Sequence, residues 1–425
     1  MKKTVSFAGV SLLACAALLT LSLGCSKGHN TRTYTIYRPV YSSKSSALAA
    51  INGDPARSIE STGKIYVWGQ YIFLNEPNSG IHIIDNHDPS HPVQTAFLSI
   101  PGNLDMAIKG NTLYADMYQD LLAIDISNLH QVKVTGRVPG LFSGRIYVNN
   151  NYIGSDSTKV VTSWITKDTT VVVVQDPRPR SSGNACCVFY DVPGALATAS
   201  FSSSTTTTGT AGSMAAMVLI NNYLYAISGG HSLGVINLTD PSNPTLAQSS
   251  YVGFDLETIY PFRDQLFLGS AEGVYMYDLS NPAKPVQTGQ FTHGHSCDPV
   301  IADGNYAYVT LHAGTSCGGA SNELDVLNVQ NPSAATMVRI YPMTKPQGLC
   351  KDGNLLFVCD GNMGVKVFNA QDPANLEQLT VSGNSQAYDV IASNQRLLVV
   401  ADKGLYQYDY SNPSSLKLLS LFPIK

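Results

Sequence analysis

Three aspartates, Asp105, Asp298 and Asp389, fall at one equivalent position of an internal repeat, early in the first strand of three units. Carboxylates that converge on one opening can hold a hard cation through oxygen ligands. The same residues serve equally well as caps for backbone amides where a strand starts. His293, His295 and His312 cluster in one repeat beside Cys297 and Cys317. His-x-His spacing on a strand puts both rings on one face, which suits a metal, but no fourth ligand is legible and the metal stays unknown. Polar loop histidines are the plainer reading.

The elements that position these groups are repeats of about forty residues. A short apolar strand ends in Asp or Asn at Asp85, Asp125, Asn237, Asp278, Asn328, Asn369 and Asp409. Six of these ends continue into Asp-Pro or Asn-Pro, with Asn128-Leu129 as the exception. Asp or Asn before Pro is a turn signal, because the side chain bonds the local backbone and Pro cannot continue a ladder. Successive strand ends lie 40, 112, 41, 50, 41 and 40 residues apart, so two repeats carry insertions. Each unit reads as four short strands. In the last, strands fall at 387–392, 396–401, 405–408 and 416–421. Beyond the N-terminal segment, no stretch keeps a helical period for more than two turns. Seven equivalent units without polar caps favour a closed ring over a solenoid. The expected fold is all-β, a seven-bladed β-propeller of four-stranded antiparallel blades over residues 63–425.

These strands resemble those of LVIVD-repeat proteins, and Bacteroidetes lipoproteins of that group are especially similar. The stretches that carry the resemblance include 63–67, 75–78, 80–85, 99–102, 120–125 and 357–361. The resemblance implies a fold and a cellular location, not an activity.

Residues 1–24 resemble a lipoprotein signal peptide, with Lys2 and Lys3 before an apolar run and Ser22-Leu23-Gly24-Cys25 at its end. Cys25 is the expected lipidation site. A plain signal peptide with a coincidental cysteine is the alternative. Residues 25–62 are a tether, in which 34–41 suits an extra strand added outside a blade. The expected place is the cell envelope, lipid-anchored at the outer membrane.

An insertion at 141–212 interrupts the ring between blades two and three. Within it, 159–165 and 169–174 read as a hairpin turning at Lys167-Asp168, and 202–208 is low-complexity Ser/Thr. Insertions on a fixed scaffold are natural recognition elements, although a merely tolerated surface loop is the competing reading.

Six cysteines remain after Cys15 and Cys25. Cys297 and Cys317 flank the hairpin of the first and second strands of blade five, which is also read as carrying a ten-residue extension, and a disulfide there contributes about 3 kcal/mol in the chain-entropy model. Cys350 and Cys359 stand on facing strands of blade six, as cross-strand neighbours or buried thiols. Cys186 and Cys187 stay open.

Net charge is −4, which gives nucleic acid no electrostatic footprint. There is no His-Glu-x-x-His and no Walker loop. Two tryptophans are too few for a propeller that docks a quinone with one per blade, and no cofactor is expected. The expected function is a non-enzymatic binding or scaffolding propeller. Its partners are the membrane, through the lipid, and an envelope protein or glycan. The alternative is an envelope hydrolase or lyase with a metal or carboxylate site at the channel mouth, built on the three aspartates.

Overall fold

One local event, repeated seven times, sets this architecture. In each repeat the strand-ending Asp or Asn accepts a hydrogen bond from the amide two residues on. Asp85 accepts from His87, Asp125 from Ser127, Asn237 from Thr239, Asp278 from Ser280, Asn328 from Gln330, Asn369 from Gln371 and Asp409 from Ser411, at 2.8–3.2 Å. A second such turn follows at Asp88, Asn128, Asp240, Asn281, Asp372 and Asn412. In blade five Asn331 accepts from the Ser333 hydroxyl instead. The side chain satisfies backbone that a sheet has just released, so the chain reverses at the same point every time.

The computed structural model describes residues 31–148, 151–153, 158–172, 210–294, 299–313, 321–383 and 385–425. Seven antiparallel blades occupy 65–99, 106–138, 217–251, 256–292, 300–342, 346–381 and 387–423. Each runs first strand to fourth in order. Blade one gains a strand on each side, Thr210–Ala211 beyond its first strand and Gly53–Pro55 beyond its fourth. The tether therefore does add an outer strand, but from 53–55 rather than from 34–41.

Burial explains the strand patterns. Second strands such as Tyr71–Glu76 and Tyr223–Ser228 are buried at every position after the first, since blades pack on both faces. Their middles read as apolar runs, with polar residues such as Asn75, Glu76 and Asp116 at or near the end. Fourth strands such as Thr245–Tyr251 form the rim and alternate with solvent. Neighbouring blades share core clusters. Ile65, Ile72 and Leu74 of blade one, for example, pack with Ile391, Leu398 and Val400 of blade seven. The ring closes without a split blade. Gln407 Nε2 donates to Asn86 Oδ1 at 2.6 Å, Ser420 Oγ to the Pro89 carbonyl at 2.7 Å, and Lys425 N–H to the Ile59 carbonyl at 3.0 Å.

That Pro89 contact belongs to a series. In all seven blades the third and fourth strands slip register at one point, a β-bulge. The residues beside it include Gly136, Gly289 and Ser420, and each faces the turn of the following blade. A Cβ on Gly289 would stand 1.8 Å from the Pro332 carbonyl oxygen, and one on Gly136 2.3 Å from that of Ser242. Close approach of one blade's turn to its neighbour's rim requires glycine at these two positions. Tyr114 and Tyr225 complete the lock, donating to the Pro241 and Pro282 carbonyls at 3.2 and 2.8 Å.

The strand Thr31–Ser43 pairs with Lys159–Val172 in a separate two-stranded ribbon. Residues 159–172 form one strand, not a hairpin. Lys167 and Asp168 do not turn, because Asp168 is held across the ribbon by the Thr35 hydroxyl at 2.7 Å. By compactness the chain divides into two units, 39–163 with 189–425, and 1–38 with 164–188. Between ribbon and propeller runs a short helix, Lys44–Ala50, capped by Ser43 accepting from Ser46 N–H. Among the described residues no helix is long and apolar enough to cross a membrane.

Candidate functional site

The two faces of the propeller differ. One carries the Asp/Asn turns and the short links between first and second strands. The opposite face, called upper here, carries the links between second and third strands and those between blades. The two long links of the ring emerge there. The insertion leaves blade two at Val138 and rejoins at Met217, and blade five extends its link from Leu311 to Glu323.

First strands neighbour one another round the ring and line its centre. The returning leg of the insertion, 210–217, crosses that centre. Thr210–Ala211 pairs with Tyr66 and Val67 of blade one. Ser213, fully buried, accepts from Leu349 N–H of blade six at 2.9 Å. Met214 packs in the cluster shared by blades one and seven. The Ala215 carbonyl accepts from Ile259 N–H of blade four at 2.9 Å. The Ala216 and Met217 amides then donate to Asp105 of blade two at 2.6 and 3.1 Å. Eight residues thus engage five blades besides the one they lead into.

This places Asp105. One carboxylate oxygen takes those two amides and Lys64 Nζ at 2.7 Å, and the other takes Met106 N–H at 2.7 Å. Its acceptor capacity is spent on the fold, as an amide cap with a counter-ion. Asp389, at the equivalent position of blade seven, is also fully buried, but neither of its oxygens has a hydrogen-bond partner. Burial pushes its pKa far above the carboxylate range, opposed only by the nearness of the Val390 amide, which falls short of hydrogen-bond geometry, and by the Lys64 charge. Lys64 thus stands between the acids of blades two and seven. Asp298 lies outside the described residues, as do Cys25, Cys186, Cys187, His295, Cys297 and Cys317. His312 is buried, and His293 directs Nδ1 at the Gly294 carbonyl, 2.7 Å away. Among the described residues no group of three or more His, Cys, Asp or Glu could hold a metal. Cys350 and Cys359 are both buried, and burial pushes the Cys359 thiol well up, which makes it inert.

Buried charge is concentrated in blades one and two. Glu76 meets His82 Nε2 at 2.8 Å and Arg57 at 2.5 Å, with the Arg57 guanidinium 3.9 Å from the Phe97 ring centroid. Asp116 accepts from the Leu104 and Asp105 amides and pairs with Arg145 of the insertion. Neither cluster was legible in sequence, since the partners are separated by loops of unrelated length. Asp360 repeats the Asp116 role in blade six, accepting from the Thr344 and Lys345 amides and pairing with Lys366 at 2.6 Å. Nearby, Lys345, Asn362, Ser385, Gln386 and Asp402 line an open polar cleft of about 480 Å³. A further pattern, Gly230-His231-Ser232-Leu233-Gly234, matches the Gly-x-Ser-x-Gly of hydrolases. Here Ser232 starts the third strand of a hairpin, opposite Ser228, not a strand-to-helix elbow. A second match, 314–318, lies outside the described residues.

One buried acid gives a pH signature. Asp325, on the third strand of blade five, has its pKa pushed up to about 7, first by burial and then by the Glu323 charge. The folded protein therefore holds a proton that the unfolded chain releases near pH 4. Stability from this group is complete below that pH and is lost as pH rises towards 7, by at most about 1.4 kcal/mol per unit. Asp325→Asn is expected to flatten this fall and to raise stability at pH 8, as read by urea unfolding across pH 4–8.

A family profile described as "LVIVD repeat" matches residues 61–96, 104–138, 211–251 and 293–343. These are blades one, two, three and five. The protein is an LVIVD-repeat propeller. Blades four, six and seven lie outside the matched windows but carry the same turns and bulges. The third window opens at 211, so the crossing leg belongs in part to the repeat itself. No curated protein matches the sequence. Among solved structures, Sqt1 of Saccharomyces cerevisiae aligns with TM-score 0.51 and 9% identity, over 89% of this chain and 87% of that one. The computationally designed Ika8 protein gives 0.49 and 10% identity over 86% and 89%, and BamB of Moraxella catarrhalis 0.45 and 9% over 80% and 82%. At such identities the likeness concerns the fold alone.

Proposed function

We propose that this LVIVD-repeat propeller is an envelope-anchored, non-enzymatic binding module that presents its upper face to a protein or glycan partner. The observation that carries this reading is the asymmetry of the faces. The lower face repeats one turn seven times, while the insertion and the blade-five extension both emerge above. Loops vary where recognition is done, on a scaffold that stays fixed. Two half-exposed tyrosines on the insertion, Tyr147 and Tyr152, stack edge-on at 5.5 Å and offer rigid amphipathic contact area. The channel-mouth enzyme reading loses one of its three acids, because Asp105 is committed to backbone and Lys64.

The anchor and the binding face have separate tests. Mass spectrometry of the exported protein is expected to find acyl groups on Cys25, and an unmodified Cys25 overturns the anchor. A photo-crosslinker at Tyr152 in living cells is expected to trap one discrete envelope component. The same group at Ala374, in a lower turn, is expected to trap none. Equal yields at both positions overturn the assignment of the face.

A further inference from the structure

The ribbon is the part of this chain that the binding reading leaves unused. Its distal portion, 31–38 with 164–172, is a compact unit of its own with the adjoining residues. Cross-strand contacts fix which side chains share a face. Thr33 meets Thr170 at 2.9 Å, Thr35 meets Asp168 at 2.7 Å, and the rings of Tyr37 and Trp164 meet edge-on at 6.4 Å. Partner numbers fall as the first strand rises, so the strands run antiparallel. Side chains alternate along a strand. The opposite face therefore carries Arg32, Tyr34, Ile36 and Arg38 from one strand, with Ile165, Lys167 and Val171 from the other. The Arg32 guanidinium lies 5.3 Å from the Tyr34 ring centroid, which confirms that these two share a side.

This second face has an unusual composition. Tyr34, Ile36, Ile165 and Val171 are 45%, 41%, 60% and 41% exposed, so no described residue covers them. Three cations stand among them, all exposed, and no acid. The one acid of the unit's described residues, Asp168, points the other way and is held by Thr35. All this occurs in a chain whose net charge is −4. A two-stranded ribbon is marginal in water by itself, and exposed apolar side chains need a surface. A face that mixes basic and apolar groups fits an anionic bilayer interface. There Arg and Lys meet lipid phosphates while Tyr and Ile enter the headgroup boundary. Thr31 also stands six residues after Cys25, within a tether's reach of the place where a lipid would sit.

We propose that this ribbon face docks on the anionic surface of the membrane, as a second, protein-borne attachment beside the lipid. A single acyl anchor binds reversibly, and a basic apolar patch is the kind of second signal that makes attachment stable. The proposal builds on the envelope-anchored reading, but it is tested without the lipid. The chain from Ser26 to the C-terminus contains every described residue and has no Cys25 to acylate. It is mixed with vesicles of phosphatidylcholine alone, or with 30% phosphatidylglycerol added, and sedimented. Binding is expected to the anionic vesicles only and to weaken as salt rises from about 0.1 to 0.5 M. The triple variant Arg32→Glu, Arg38→Glu, Lys167→Glu is expected to lose about 100-fold in partitioning, from about 1 kcal/mol per basic residue at the surface. Lys284→Glu in a lower turn is expected to bind as wild type. Equal binding to both vesicle types overturns the proposal, as does an undiminished triple variant. So does a ribbon-dependent dimer in sedimentation analysis, which would assign the ribbon to pairing between copies. A failure here leaves the acylation of Cys25 standing or falling on its own mass.

Discussion

Asp105→Ala is expected to destabilise the propeller by about 3–5 kcal/mol, while Asp389→Asn, at the same position of another blade, costs less than about 1 kcal/mol. The two acids share repeat register and burial but not partners. Removing the Asp105 carboxylate strands Lys64 Nζ, whose side chain is only 14% exposed, and leaves the Ala216 and Met217 amides without an acceptor. An uncompensated buried charge is the dominant cost. Asp389 has nothing comparable to lose, since neither oxygen is hydrogen-bonded. Its raised pKa means that the folded state holds this proton more tightly than the unfolded chain does. The stability tied to it is present at low pH and falls as pH rises towards the folded value. Asn is a neutral replacement of nearly the same shape, so the variant is expected to gain on wild type at pH 8. Urea midpoints at constant slope, measured at pH 5 and pH 8, check both halves. Equal losses at the two positions would refute the assignment of Asp105 as cap and Asp389 as an orphan acid.

Arg145→Ala is expected to cost about 3–5 kcal/mol and to loosen the start of the insertion. Arg145 pairs with Asp116, donates to the Gly102 carbonyl at 2.7 Å, and has a side chain only 16% exposed. Asp116 is buried, and burial already pushes its pKa up against the pull of the Arg145 charge. Without that charge the carboxyl rises further. Arg145→Lys is expected to restore only part of the loss, because an ammonium cannot reproduce the planar fork that reaches both Asp116 and a carbonyl. Limited proteolysis reads the local effect, with cleavage between 141 and 148 accelerated in the alanine variant. Unchanged cleavage would show that the pair does not hold the insertion down.

The repeat was legible because its signal is local. An Asp or Asn at a strand end bonds an amide two residues away, so the turn is written in consecutive residues, and all seven strand ends fall where the spacing puts them. The fourth-strand bulges and the rim glycines left no such mark. The role of Gly136 and Gly289 shows only against the Ser242 and Pro332 carbonyls. The ribbon was misread for a related reason. Lys167-Asp168 has turn composition, but its partner Thr35 lies more than 130 residues away, and tertiary pairing overrides local propensity. The crossing leg is the plainest case of what sequence withholds. Residues 210–217 are small, apolar and without period. Their bonds reach blades that are neighbours only once the ring has closed. Of the candidate chemistry, the shared register of Asp105 and Asp389 was legible, but the difference between a saturated Asp105 and an unpartnered Asp389 was not. It depends on Lys64 and on amides that arrive from another repeat.

The crossing leg also bears on how the molecule responds to force. The insertion leaves the ring at the rim strand of blade two but returns to it through residues seated at the centre. A pull on the returning leg is delivered to the hub and divided among blades one, two, four, six and seven. Such a load strains many bonds in parallel instead of peeling one blade from its neighbour. The propeller is built like a wheel loaded at its axle, and should yield only when several spokes fail together.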